Sequence, residues 1–217
     1  MKSSDVSADD AWERMLTGNR RWVERRSAAG NRRAAARRAA TSLGQNPFAM
    51  VLSCADSRLP VEILFDQGIG DLFVVRTAGH TLDTAVLGSL EYGVEVLGVS
   101  LIVVLGHESC GAVAAAIGVA DGVLAPPGHI GDIARSIVPH VQEARRAGAE
   151  TADEIAGRHA LITADLLRER SEILDEAIGE RRLAARAAQY SISSGLAGDL
   201  PSLSRIGAGT ATGRRPE

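Results

Sequence analysis

The chain is predicted to adopt an α/β fold, a mostly parallel sheet of four to five strands flanked by helices. Three observations lead there. With 217 residues, 45% of them hydrophobic and 24% charged, it is long enough to bury one sizeable core. Short β-branched runs at 48–53, 72–76 and 101–105 alternate with segments of helical period, and a βαβα order makes a parallel sheet with helices on its faces. Reactive residues follow two of these runs directly: Cys54-Ala55-Asp56-Ser57-Arg58 after the first and His107-Glu108-Ser109-Cys110 after the third. The carboxyl edge of an open parallel sheet is where ligands bind, so residues half a domain apart in sequence are expected to share one crevice there.

The elements can be justified in order. An amphipathic helix begins at Ser7, with Asp9 and Asp10 in its first turn and Ala11, Trp12, Met15 and Leu16 on one apolar face. Gly18-Asn19 is expected to end or bend it. Arginines 20, 21, 25, 26, 32, 33, 37 and 38 follow among alanines. This pattern reads as a solvated helical face or a subunit contact in preference to a nucleic-acid arm, so residues 1–42 form an N-terminal helical arm. Residues 61–66 predict a short helix. Residues 81–97 predict a longer one, with Leu82, Ala85, Val86, Leu90 and Val94 near helical spacing. A further helix runs from Cys110 toward Val119. A loop at 122–128 contains Pro126-Pro127, and helices are expected at 130–147 and 151–178. Residues 183–192 are the last strand, weakly supported because of their alanines and arginines. The α/β domain is placed at 43–206, and the Gly/Thr/Arg-rich tail at 207–217 is expected to be disordered.

A formal net charge of -3 gives no reason to expect nucleic acid or an anionic membrane as partner. No stretch has the length of a membrane-spanning helix, and the first ten residues are polar and partly acidic, so a cytoplasmic protein is expected. The two cysteines, with a histidine three positions before the second, favour metal over a disulfide. Two thiolates and an imidazole suffice for zinc, leaving a fourth position for water or for the Asp56 carboxylate. Structural zinc usually has four protein ligands, so three indicate a catalytic site. Cys110 is expected in the first turn of the following helix, where the helix dipole favours its thiolate.

These two motifs, together with Asp66-Gln67-Gly68, Phe73-Val74-Val75-Arg76-Thr77-Ala78-Gly79 and Ser89-Leu90-Glu91-Tyr92-Gly93, resemble the β-class carbonic anhydrases. The resemblance implies that fold, with 43–206 as a zinc-binding catalytic domain. It makes Cys54, His107 and Cys110 the ligands of one zinc ion per subunit and pairs Asp56 with Arg58 beside the metal. It also implies that Gln45 reaches substrate across a subunit interface, that Phe73, Ala78 and Tyr92 form a small apolar pocket, and that Gly111 follows the last ligand. The partners implied are carbon dioxide and bicarbonate and at least a second copy of the chain, as a homodimer or higher oligomer. A regulatory bicarbonate pocket known in one branch would use Arg76 and Tyr190, but Val51 stands where that branch has Trp, and Ser53 replaces its Gly. His80 occupies a position where many members have Asn.

The activity implied is reversible hydration of carbon dioxide by zinc-bound hydroxide, rising toward alkaline pH because two thiolates acidify the water less than three imidazoles would. Asp56 held by Arg58 leaves the metal open, whereas Asp56 as fourth ligand would close it. His80, His129, His140 and His159 are possible proton relays, each more simply explained by packing or surface position. Alternatives are hydrolysis of carbonyl sulfide or carbon disulfide, and a non-catalytic zinc protein locked by Asp56.

Overall fold

In a computed structural model describing residues 6–27 and 34–200, five strands form one sheet in the order β2-β1-β3-β4-β5. They are β1 (Ala49–Cys54), β2 (Leu72–Thr77), β3 (Leu101–His107), β4 (Ala184–Tyr190) and β5 (Ala197–Asp199). The first four run parallel and β5 is antiparallel to β4. β1 and β3 are buried along their whole length, as expected for central parallel strands, while the edge strand β2 is only partly covered.

Alternate strand residues feed two cores. Ala49, Val51, Val103, Leu105 and Ala188 pack with α1 (Ala8–Val23), α5 (Gly111–Ala120) and α6 (Gly128–Arg146). Met50, Leu52, Ile102, Val104 and Ala187 pack with α4 (Thr84–Glu95), α7 (Ala152–Arg170) and α8 (Glu172–Gly179). Two short helices, α2 (Ala34–Ala40) and α3 (Val61–Leu64), complete the described chain. None of the described helices is long and apolar enough to cross a membrane.

Several expectations are corrected. Gly18-Asn19 neither ends nor bends α1, which continues to Val23. A Cβ at Gly18 would lie 1.8 Å from the Phe65 carbonyl oxygen, so the glycine serves a close approach. Asn19, 1% exposed, donates to the carbonyls of Leu64 (3.0 Å) and Gly195 (2.9 Å) and accepts from the Ala197 amide (2.9 Å), tying the helix to two loops. Residues 151–178 form two helices, because Ser171 takes an extended conformation (φ -143°, ψ 115°) and caps α8 through the Leu174 amide. The α4 segment starts later than expected, at Thr84 behind the capping Asp83, with a 3-10 turn over Ala78–His80 before it.

The alanine-rich β4 has a packing reason: α7 lies close against β3 and β4. A Cβ at Gly106 would be 3.1 Å from Ala160 Cβ and 3.3 Å from the Ala156 carbonyl oxygen. Small residues therefore outweigh β propensity here. In the arginine-rich region, Arg20 pairs with Glu13, Arg21 with the largely covered side chain of Asp66, Arg26 with Glu24, and Arg37 with Asp71. Arg32, Arg33 and the tail at 207–217 lie outside the described residues.

Candidate active site

Cys54 is the last residue of β1 and His107 the last of β3, neighbouring parallel strands, so both side chains arrive at one carboxyl edge of the sheet. Cys110 is the N-cap of α5, one position earlier than the first turn. The ligand-type atoms of these three residues lie within 4.8 Å of one another, and all three residues are buried.

The donor chemistry fits a zinc ion. His107 Nδ1 lies 2.8 Å from the Glu108 carbonyl oxygen; a carbonyl only accepts, so Nδ1 carries the proton. That leaves Nε2 bare, and it is buried with no hydrogen-bond partner. A buried, unpartnered imidazole nitrogen beside two free thiols is costly unless an ion completes it. One of the two sulfurs, Cys54, is favoured as an anion. The Cys110 thiol hydrogen-bonded to Cys54 is the largest influence holding the Cys54 thiol well below its ordinary range; burial opposes it, and His107 and the Gly79 and Asp56 amides add to it. The same contact pushes Cys110 up, so the pair shares one proton, although the Ala112 and Val113 amides at the start of α5 work toward its thiolate. Burial is the largest influence on His107 and would lower it, but the Cys54 sulfur, the Glu108 carbonyl and the Asp56 carboxylate together outweigh it and the net direction is up.

Asp56 and Arg58 stand beside this cluster. Arg58 Nε donates to Asp56 Oδ1 (2.9 Å) and Nη2 to Oδ2 (2.7 Å), a two-point pair, and the Arg58 amide also donates to Oδ1 (2.9 Å). Arg58 Nη2 further reaches the Ser109 carbonyl at 3.2 Å, joining the two motifs. The Arg58 guanidinium holds the Asp56 carboxyl well below the usual carboxylate range, against a smaller opposing effect of burial. Arg76 donates to the carbonyls of Cys54 (3.0 Å) and Asp56 (2.6 Å), so its guanidinium fixes the turn after β1.

The expected pocket residues are placed less uniformly. Ala78 directly follows Thr77, the register partner of Cys54, and is exposed at the same edge. Phe73 pairs with Met50, four residues back along β2, roughly 13 Å from that edge at the usual rise per strand residue. Its ring meets Tyr92 at 6.3 Å between centroids, and Tyr92 is 44% exposed. Gln45 is exposed in the segment leading into β1, and a Cβ at Gly111 would meet nothing within 4 Å. A single chain therefore brings Cys54, Asp56, Arg58, Ala78, His107, Cys110 and Gly111 to one edge and leaves Phe73 and Tyr92 away from it.

Ser109 and Gly79 lie inside the motifs quoted above, but the contacts that place them carry no local sequence signal. Ser109, between two of the clustered residues, has a left-handed φ of 53°, and its amide is held at 2.7 Å by the carboxylate of Asp153, in the first turn of α7. Gly79, also left-handed at φ 64°, directs its amide at Cys54 Sγ over 3.4 Å. The partners are 44 and 25 residues apart in sequence, beyond any local motif.

Comparison with known proteins gives a consistent result. The family model described as carbonic anhydrase matches residues 49–197. Carbonic anhydrase 2 of Mycobacterium tuberculosis is 46% identical over 188 residues, covering 86% of this chain and 90% of that protein. The fold resembles a β-carbonic anhydrase of Aspergillus fumigatus, with a TM-score of 0.67 at 23% identity, covering 82% of this chain and 91% of the other. It also resembles one of two tetrameric β-carbonic anhydrases of Sordaria macrospora, with a TM-score of 0.66 at 23% identity, covering 79% and 90%.

Proposed function

This chain belongs to the β-class carbonic anhydrases, a family of lyases, and from that premise we propose that it converts carbon dioxide and water reversibly to bicarbonate and a proton at the Cys54, His107 and Cys110 cluster. The observation that carries this reading is the buried Nε2 of His107, unpartnered and facing two free cysteines. These three residues would hold zinc, which when bound supplies a Lewis acid able to make a hydroxide nucleophile available near neutral pH.

The chain's own residues do the rest. Asp56, ionised and held in place by Arg58, accepts a hydrogen bond from the attacking oxygen and turns it toward carbon dioxide. The same two-point pair keeps the carboxylate away from the fourth coordination position, which favours catalysis over a locked zinc protein. The proton released leaves to solvent or buffer. Carbon dioxide is small and uncharged, so a narrow apolar pocket is enough to hold it. Phe73 and Tyr92 lie on the exposed face of the edge strand and α4, away from their own chain's cluster. A second copy docking there would bring them and Gln45 toward a metal, making a homodimer the smallest working unit.

Carbon dioxide hydration and carbonyl sulfide hydrolysis, measured on one zinc-quantified preparation, test the substrate. Rapid hydration with little or no sulfide release is expected; sulfide release that outpaces hydration would overturn the assignment.

A further inference from the structure

Three of the chain's histidines, His80, His140 and His159, lie against one another next to Gly79. His159 of α7, 1% exposed, places Nε2 at 2.7 Å from the Gly79 carbonyl oxygen. The carbonyl can only accept, so Nε2 carries the proton and Nδ1 is bare. His140 of α6 places its Nδ1 at 2.6 Å from that bare nitrogen and must donate to it. On the other face the His80 ring stacks on His159 at 4.3 Å between centroids and 25° between planes. His80 is 1% exposed and neither of its nitrogens has a hydrogen-bond partner, so it serves here as a wall that fixes the plane of His159.

The residue they grip is unusual. Gly79 and His80 both have left-handed backbones, φ 64° and 42°, and a Cβ at Gly79 would lie 2.8 Å from Ile137 Cδ1 and 2.9 Å from Ala112 Cβ. The Gly79 carbonyl is held by His159, and its amide points at Cys54 Sγ. A directional chain results: His140 donates to His159, His159 to the Gly79 carbonyl, and the Gly79 amide to the Cys54 sulfur.

We propose that His159 is a positioning residue for the metal centre: by clamping Gly79 it aims the Gly79 amide at Cys54 and so sets how much charge that thiolate gives the metal. The proposal rests on the zinc reading of the site. A hydrogen bond to a ligating thiolate withdraws electron density from it and makes the ion more electrophilic, and outer partners of this kind commonly matter for both affinity and reactivity. His140 fixes the tautomer and His80 the ring plane. Burial, with the His140 charge beside it, lowers His159 to about 4, so it stays neutral and keeps a bare Nδ1 for His140 at ordinary pH.

The test uses cobalt(II) in place of zinc in the full chain and reads the thiolate-to-cobalt charge-transfer absorption and the metal affinity in competition with a chelator. In H159L the band should move to longer wavelength as the thiolate loses its hydrogen bond, and affinity should fall about tenfold. H159Q carries an amide donor near the Nε2 position and should restore both readouts; H159N, whose amide stops near the Nδ1 position, should not. If H159L does not fold, the Gln and Asn pair decides alone. Wild-type band and affinity in H159L, or identical behaviour of H159Q and H159N, would overturn the proposal. A wild-type protein that shows no thiolate-to-cobalt band would instead overturn the metal site itself, and the proposal with it.

Discussion

At the scale of single residues, the candidate ligand set is legible in sequence because metal chemistry restricts it to few residue types, and this chain has only two cysteines. Asp56 and Arg58 are legible for a similar reason, since an acid and a base two residues apart beside a ligand can form the two-point pair observed. The roles of Gly79, Asp153 and His159 are not, because they act through long-range hydrogen bonds that leave no local pattern. Replacing Asp56 by Asn should leave zinc content unchanged and lower kcat/KM about a hundredfold, the usual size of a positioned general base, read by stopped-flow hydration with metal analysis. Because Arg58 holds the Asp56 carboxyl well below the usual range, Asp56 is already ionised throughout pH 6.5 to 9. The rise in activity across that window should therefore persist in shape in any variant that retains the pair. A wild-type profile that instead rose along a carboxylate titration would show the pair to be broken in solution.

At the scale of elements, hydrophobic period located the helices and strands well, and the departures came from tertiary contacts. Gly18 looks like a helix end, yet its role is to let α1 lie against the Phe65 carbonyl. On an isolated helix Gly18→Ala would gain about 1 kcal/mol of propensity. Here it should destabilise by roughly 2 kcal/mol, because the backbone oxygen 1.8 Å away must move, and urea unfolding will read the sign directly. Ser171 has the composition of a helix interior position only until its cap is seen; Ser171→Ala should cost about 1 kcal/mol by the same measurement. The alanines of β4 were faint in sequence because the close approach of α7, not strand propensity, selects them, and β5 was faint because it is only three residues long.

At the scale of the whole molecule, the α/β class follows from the alternation of elements, but the distance of Phe73 from its own chain's cluster does not. Nothing local says that Phe73 sits four residues back along β2 from the level of Cys54, with the Tyr92 ring of α4 against it. Sedimentation at micromolar concentration should show at least a dimer, and a monomer with full activity would contradict the shared pocket. Global stability should also fall in acid through the buried histidines. His159 titrates at about 4 in the folded chain against 6.5 unfolded, so the unfolded state binds more protons between those values. Stability is therefore complete above pH 6.5 and declines as pH falls toward 4, by at most about 3 kcal/mol from this residue. His80 and His140, also lowered by burial, act in the same direction. H159Q should flatten that decline, and an unchanged slope would show that His159 is not buried neutral in solution. The most direct measurement is stopped-flow carbon dioxide hydration near pH 8 on wild type and Cys110→Ser, with zinc counted in both. One zinc per chain with rapid hydration in wild type, and loss of both in the variant, is expected. Wild type carrying one zinc per chain yet hydrating no carbon dioxide, or a variant as active as wild type, would contradict it.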